Sequence, residues 1–204
     1  MMETALTDSE TLAMTDFRPF RAWRYHAEKV NVADVLAPPY DVISPDEQSR
    51  LYDRSPYNCI RLILNRQTSQ DHDADNRYTR ARDFFESWCR DAILLQDSSP
   101  SFYLYRQTFQ DPHSAATQQR HAILGAIKLI PFEKGRVVAH EKTLPKPRED
   151  RRKLLETAKT NFSPIFGLYE DMESKIGEIC RSVTRAAREF RVQDDDRVWH
   201  ELWD

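Results

Sequence analysis

The sequence predicts an α+β fold in which helices pack on a mixed, largely antiparallel sheet. Helix-like and strand-like segments both occur along the 204 residues, but not in the strict β-α-β alternation that is typical of parallel sheets. Apolar residues make up 40% of the chain and aromatic residues 11%, which supplies the burial that disordered chains lack. We expect residues 1–16, which are polar and aperiodic, to form a disordered tail, and residues 17–204 to form a single α+β domain.

The first predicted elements flank a rigid loop. Residues 17–25 alternate apolar and basic side chains, which predicts a short strand or an extended edge. The diproline at 38–39 excludes helix from the next loop, because proline lacks an amide donor and restricts the residue before it. A helix is predicted directly afterwards, with Ser44 as N-cap, Pro45 at the first position and Glu47 completing a capping box.

The middle of the chain predicts a strand, a helix and a hairpin. Residues 58–64 are an apolar, β-rich run and are expected to form a buried strand. Between residues 78 and 92 apolar side chains recur every three or four positions, which predicts an amphipathic helix. Residues 101–109 and 121–132 are a hairpin candidate, and the polar loop between them is expected to be mobile.

The last third again mixes strands and helices. Residues 137–143 and 163–171 are predicted strands, and a helix is expected to start at about Ser174. Residues 147–159 are predicted to form a helix whose first turn carries acidic residues that suit the helix dipole.

The final residues are unusually apolar for a chain end. Trp199, Leu202 and Trp203 require a partner strand or sheet, because chains usually finish in polar residues. Either this cluster folds back or the natural protein continues. We expect continuation, so the domain is interpreted as truncated at its C-terminus.

Composition excludes several classes of protein. The net charge of −3 disfavours general nucleic-acid binding, and four glycines leave no phosphate-cradling glycine-rich loop. No run of about 18 apolar residues occurs, so we expect a cytoplasmic protein that does not enter the membrane. The three cysteines form no CxxC pair and the histidines no HExxH motif, so no metal site is predicted.

A first candidate site follows the diproline. The rigid loop could present Tyr40 and Asp41 as a polar pair to a ligand. The alternative is structural, with Tyr40 packing against the fold and Asp41 capping the next turn.

A second candidate site lies around the predicted helix at 147–159. His140 and Glu141 come at the end of a predicted strand, and strand neighbours point to opposite faces, so only one is expected to be chemical. Cations from Lys146 to Arg151, near a helix start with free amides, predict a phosphate or carboxylate site, beside which Glu141 could act as general base. The alternative is a solvated basic helix face.

Four segments in this order carry a family resemblance: APPYDVIS, PYNCIRLIL, FYLYRQTF, and the stretch from HEKT to GLYED. The chain from about Phe17 to its last residue resembles the bacterial and archaeal family called domain of unknown function 1015. Members are longer and carry an Asp-Gly-His-His-Arg segment just beyond the position of Trp203. That segment resembles the phosphate-binding motif of ParB, sulfiredoxin and free serine kinase, and it does not occur in this sequence.

The resemblance implies a ParB-like phosphate or nucleotide site in the complete protein, with phosphoryl transfer as its activity. The cofactor stays open, with ATP or ADP and Mg²⁺ as candidates. The family's recurrent positions correspond here to Pro38, Pro39, Tyr40, Asp41, His140, Glu141, Thr143, Lys146, Asp150, Arg151, Asn161, Ser163 and Pro164. A glycine that is common in the central hairpin of the family is replaced by His121.

The resulting hypothesis is a small-molecule hydroxyl kinase. Its catalytic residues would be Glu141 and His140, and its nucleotide-binding residues would be Thr143, Lys146, Arg151, Asn161, Ser163, Tyr40 and Asp41. Its partners would be a small-molecule substrate or nucleotide and a missing C-terminal domain or second subunit. Two alternatives stay open: a non-catalytic binding or regulatory module that uses Trp199 and Trp203 as an exposed contact, and a truncated remnant without independent function.

Overall fold

The computed structural model of the chain describes residues 15–114, 116–135, 137–140 and 142–204. Within them it confirms the α+β fold, and every strand pair is antiparallel. The helices are α1 (Val32–Val35), α2 (Pro45–Arg54), α3 (Ile60–Ile63), α4 (Arg77–Arg90), α5 (Pro145–Ala158) and α6 (Lys175–Val183). The strands are β1 (Phe17–Arg18), β2 (Trp23–Tyr25), β3 (Leu94–Gln96), β4 (Tyr103–Gln110), β5 (Thr117–Leu124), β6 (Ala126–Ile127), β7 (Phe190–Gln193) and β8 (Trp199–Trp203).

The strands form three sheets. The largest has the order β5-β4-β8-β7, so the last strand of the chain lies between β4 and β7. Two-stranded sheets pair β1 with β6 and β2 with β3. No helix among the described residues is long and apolar enough to cross a membrane.

The main core lies between the helices and the β2–β3 sheet. Val35, Leu62 and Trp88 are buried there with Leu94, and α5 packs on α4 at the same side. Phe162, which follows α5, packs against this cluster, and its ring lies 5.3 Å from the ring of Phe85. The end of α5 is therefore held by aromatic contacts.

A smaller core lies between α6 and one end of the four-stranded sheet, where Leu104, Cys180 and Trp203 are buried together. Tyr103, the first residue of β4, is bonded to two other segments: its hydroxyl donates to the Asp97 carboxylate (2.5 Å) and accepts from the Ala22 amide (3.0 Å). Tyr103 is only 1% exposed, so these bonds satisfy a polar group that burial would otherwise destabilise.

Local capping explains where two helices begin. The Ser44 hydroxyl accepts from the Glu47 amide (3.2 Å) and Pro45 is the first helical residue, as predicted. The Glu47 carboxylate, however, lies 3.6 Å from Arg50, and no bond from it to the Ser44 amide occurs among the described hydrogen bonds. A reciprocal capping box occurs instead at the start of α4, between Asn76 and Thr79.

The predicted strand at 58–64 is wrong, because this segment turns into the short helix α3. Asn58 is fully buried, and its side-chain oxygen accepts from the Ile60 amide while its nitrogen donates to the carbonyls of Asp34 and Leu36. These bonds bend the backbone at Asn58 and connect it to the end of α1. A tertiary contact thus outweighs the local β preference of the run.

Two further predicted strands are wrong. Residues 137–140 and 142–143 form no strand, and the described side chains there are exposed, while residues 163–171 are irregular. The hairpin is confirmed, but its loop spans only residues 111–116. The helix predicted from Ser174 is confirmed as α6, although it ends at Val183.

The apolar chain end is accommodated within the fold. As part of β8, Leu202 and Trp203 are 9% and 2% exposed, so the predicted exposed contact through Trp203 is wrong. The partner strands predicted for this apolar segment are β4 and β7. The predicted tail at 1–16 falls largely on residues 1–14, which lie outside the described residues.

Candidate functional site

Helix α5 positions most of the candidate residues. It begins at Pro145, two residues before the predicted start, so Glu149 and Asp150 lie in its second turn rather than in its first. Proline also occupies position 147, and neither proline carries an amide hydrogen. The Arg148 amide donates to the Leu144 carbonyl (3.2 Å), so of the first four positions only Lys146 can offer an amide to a ligand. Side chains rather than amides must therefore bind any anion here.

One face of α5 is fixed to α4 through Asp150. Its carboxylate accepts from the Tyr78 hydroxyl (2.7 Å) and the Arg151 Nε (3.0 Å) and forms an ion pair with Arg77. The Asp150 side chain is 16% exposed. Burial alone raises the pKa of Asp150, but the Tyr78 hydrogen bond and the Arg151 and Arg77 charges lower it by more, so the carboxylate stays ionised. Burial and the charge of Asp150 in turn raise the pKa of Tyr78.

Arg151 connects α5 to the diproline loop. Its guanidinium lies 3.9 Å from the centre of the Tyr40 ring, and its Nη1 donates to the Ile63 carbonyl (2.8 Å). Because Asp150 accepts from the other two nitrogens, each of the three guanidinium nitrogens has a partner in the protein. A small cavity of about 10 Å³, bounded in part by Arg151 and Tyr78, has room for one water molecule.

The structure therefore brings Tyr40 and Arg151 together, from two segments that are far apart in sequence. Their contact is the packing that the structural alternative expected for Tyr40. Asp41 is exposed on the same loop, and Ser44 caps the helix that follows.

The start of α5 is a different surface. His140, Lys142, Thr143 and Lys146 are exposed there. Lys146 and Arg151 are five residues apart, so they point in directions that differ by about 140° around the helix and do not share one pocket. Glu141, the proposed base, lies outside the described residues.

Asn161 and Ser163 lie beyond the other end of α5. A 14-residue helix is about 21 Å long, which separates this pair from Thr143 and Lys146. The Asn161 side chain accepts from the Ser163 amide (3.2 Å) in a local turn. The candidate residues thus fall into three groups along α5 rather than one concavity.

No group of three histidine, cysteine or acidic side chains that could bind a metal ion occurs in the described part of the chain. Asp150 is a poor Mg²⁺ ligand in this arrangement, because its lone pairs already accept from two arginines and a tyrosine. The described residues therefore do not by themselves fit a Mg²⁺–nucleotide site.

Arg77 and Tyr78 are neighbours of the candidate site that the sequence does not indicate. Their partner Asp150 lies 73 and 72 residues away, and no local spacing reports such a contact. An acid in one predicted helix could pair with any of several arginines, so the sequence does not select Arg77.

A family model described as "Protein of unknown function (DUF1015)" matches residues 17–204. No curated protein matches the chain. No solved structure matches it either.

Proposed function

The chain belongs to the DUF1015 family of proteins of unknown function, and we propose that it supplies a phosphate-binding surface for phosphoryl transfer to a small hydroxyl-bearing molecule. In this proposal the phosphate contacts come from the start of α5, and the Arg151–Tyr40 contact holds the helix in place.

The observation that carries the proposal is the division of charge along α5. The acids of the helix are engaged: Asp150 pairs with Arg77 and Arg151, and Glu149 lies 2.7 Å from Arg152. Three cations precede them in the chain, Lys142, Lys146 and Arg148, and all are exposed. Among the described residues no carboxylate lies within 4.0 Å of these three groups. Their positive charge is thus available to a multivalent anion.

Phosphoryl transfer depends mainly on positioning and on stabilisation of negative charge, which such cations can provide. Thr143 offers a hydroxyl donor next to Lys142. His140 is exposed two residues before Lys142. In the proposal Glu141 accepts the proton of the attacking hydroxyl group. The groups that bind Mg²⁺ would come from outside the described residues, in line with the Asp-Gly-His-His-Arg segment that the family resemblance implies.

The binding step is tested by calorimetric titration of the chain with ATP, ADP and pyrophosphate at low and high salt. Lys146→Gln should weaken binding about five- to tenfold at low salt, because one charge-assisted contact to phosphate is lost. Arg152→Gln is the matched control: it removes a positive charge from the same helix, but one that is paired with Glu149 and Glu156. Equal losses in both variants, or no binding to the wild type, would contradict the proposal.

The transfer step is tested with the complete protein, including the Asp-Gly-His-His-Arg segment that the family resemblance implies, together with labelled ATP or ADP and a panel of hydroxy amino acids, with and without Mg²⁺. Product should appear with the wild type and be lost in Glu141→Gln at unchanged nucleotide affinity, since a base acts on the reaction and not on binding. Binding without any product would support phosphate binding alone and would rule out phosphoryl transfer.

A second candidate, a binding module, is favoured by a different observation. Large apolar side chains are strongly exposed between residues 129 and 172, among them Leu129 (87%), Val138 (86%), Ile165 (90%), Leu168 (85%) and Met172 (88%). So many strongly exposed apolar side chains in one part of the chain favour a contact with another polypeptide. Light scattering with size-exclusion chromatography tests it: association that Ile165→Ser with Leu168→Ser abolishes would support the module, and a monomer in both proteins would not.

A further inference from the structure

The four-stranded sheet is covered by α6 at one end only, where Leu104 and Trp203 are buried. At its other end the same face forms an open groove with a volume of about 480 Å³. Arg191, Arg197 and Trp199 line it. Cavities of this size accommodate small organic ligands.

The groove is positively charged. Glu201 is the buried carboxylate of this face, and three guanidinium groups surround it: Arg188 at 2.6 Å, Arg106 at 2.7 Å and Arg191 at 3.8 Å. One carboxylate cannot neutralise three cations, and Arg197 adds another charge at the rim. None of the residues that line the groove is acidic. In a chain whose net charge is −3, this surface contrasts with its surroundings and attracts anions.

The acids of the adjoining β7–β8 turn are largely engaged elsewhere. Asp194 accepts from the Val198 amide and from His200, both at 2.8 Å, and Asp195 pairs with Arg54 of α2 at 2.5 Å. These contacts keep two of the three carboxylates of the turn away from the groove.

The Arg191 side chain and the Arg197 backbone are held in place before any ligand arrives. The Arg191 guanidinium lies 3.9 Å from the centre of the Trp199 ring, a stacked geometry that fixes its plane. The Gln193 side chain donates to the Arg197 carbonyl (3.1 Å), and Arg197 has a φ of 62°, which is strained for a residue with a side chain. A held guanidinium also loses less conformational freedom when it binds.

We infer that this groove binds a small organic phosphate of up to nucleotide size. Two guanidinium groups match the paired oxygens of a phosphate, while Gln110 and Thr117 add neutral donors. The Trp199 indole supplies apolar surface for the organic part of the ligand. No residue of α5 lines the groove, so the inference does not depend on the phosphate surface proposed for that helix.

The test is a titration of the wild-type chain with ADP, pyrophosphate and succinate, followed by calorimetry and by tryptophan fluorescence. ADP and pyrophosphate should bind saturably, and ADP should change the Trp199 emission, a change that Trp199→Phe removes. Succinate should bind at least about tenfold more weakly, because its carboxylates are spaced differently from phosphate oxygens. Equal affinity for succinate would overturn the assignment to phosphate.

Variants place the binding in the groove. Arg191→Gln and Arg197→Gln should each raise the dissociation constant about tenfold, because each loses a charge-assisted contact. Arg188→Gln is the matched control, since Arg188 also pairs with Glu201 but does not line the groove. Arg197 forms no ion pair among the described residues, so its variant remains informative if Arg191→Gln fails to fold. Loss of binding in Lys146→Gln with full binding in both groove variants would overturn the inference and leave the α5 surface as the phosphate site.

Discussion

Replacing Asp150 by asparagine should destabilise the protein measurably. The change removes the charge that Arg77 and Arg151 share and leaves two guanidinium groups, 27% and 22% exposed, without their carboxylate. Removing one partner of a fully buried pair costs about 3–5 kcal/mol. Because this group is partly solvated, and asparagine keeps one acceptor for Tyr78, we expect about 2–3 kcal/mol. For a chain of this length that corresponds to a melting temperature lower by about 5–10 °C.

The assay is urea and thermal unfolding followed by circular dichroism. Asp83→Asn is the control, since Asp83 on α4 pairs only with the exposed Arg82 and should cost at most about 0.5 kcal/mol. The difference between wild type and Asp150→Asn should also depend on pH. The pKa of Asp150 is lowered by folding, so its stabilisation is present above the unfolded-state pKa near about 3.9 and is lost as the pH falls through the lower folded value. A loss no larger than that of Asp83→Asn, or one that does not shrink between pH 7 and pH 3, would refute the reasoning.

Three further predictions concern the cores. Asn58→Ala should cost about 2–4 kcal/mol in urea unfolding, because it leaves the carbonyls of Asp34 and Leu36 without their buried donor; a cost below 1 kcal/mol, on the order of a surface change, would contradict this. Trp203→Ala, at a 2% exposed position, should cost about 3–5 kcal/mol and clearly more than Trp23→Ala at a 40% exposed one, as compared by melting temperature. Burial raises the pKa of Cys59 to about 12, so its thiol should not react with a disulfide reagent at pH 8 until urea unfolds the protein, and native wild type and Cys59→Ala should release the same amount of product.

The elements that sequence predicted correctly are those whose cause is local. The start of α2 is set by Ser44 and Pro45, which act on the residues next to them, and α4 follows from its own apolar periodicity. Residues 58–64 were predicted wrongly because the decisive bonds join Asn58 to a segment more than twenty residues earlier. No pattern within the run carries that information.

The candidate site shows the same difference between local and long-range causes. Spacing along the chain correctly placed Arg151 on a helix, but it put Lys146 just before that helix, whereas α5 includes both residues. Their separation around the helix could not be predicted without its true start. The contact of Arg151 with Tyr40 joins segments 111 residues apart, and the contact with Arg77 runs through an acid that the sequence assigned to the helix dipole. Such contacts require tertiary structure, since several arginines could equally have taken each partner.

The arrangement of α5 has a consequence for how its basic residues are interpreted. The Arg151 guanidinium donates to the Ile63 carbonyl and the Asp150 carboxylate and stacks on Tyr40. It would lose these contacts if it turned to a phosphate. The interactions that hold α5 in place would therefore oppose ligand binding through Arg151. Lys146 has no such competing contact among the described residues and keeps a mobile, solvated charge. Two basic residues of one stretch therefore differ in their contacts, and the sequence does not show this difference. In the proposed site, Arg151 would hold the helix in place and Lys146 at its start would contact the phosphate.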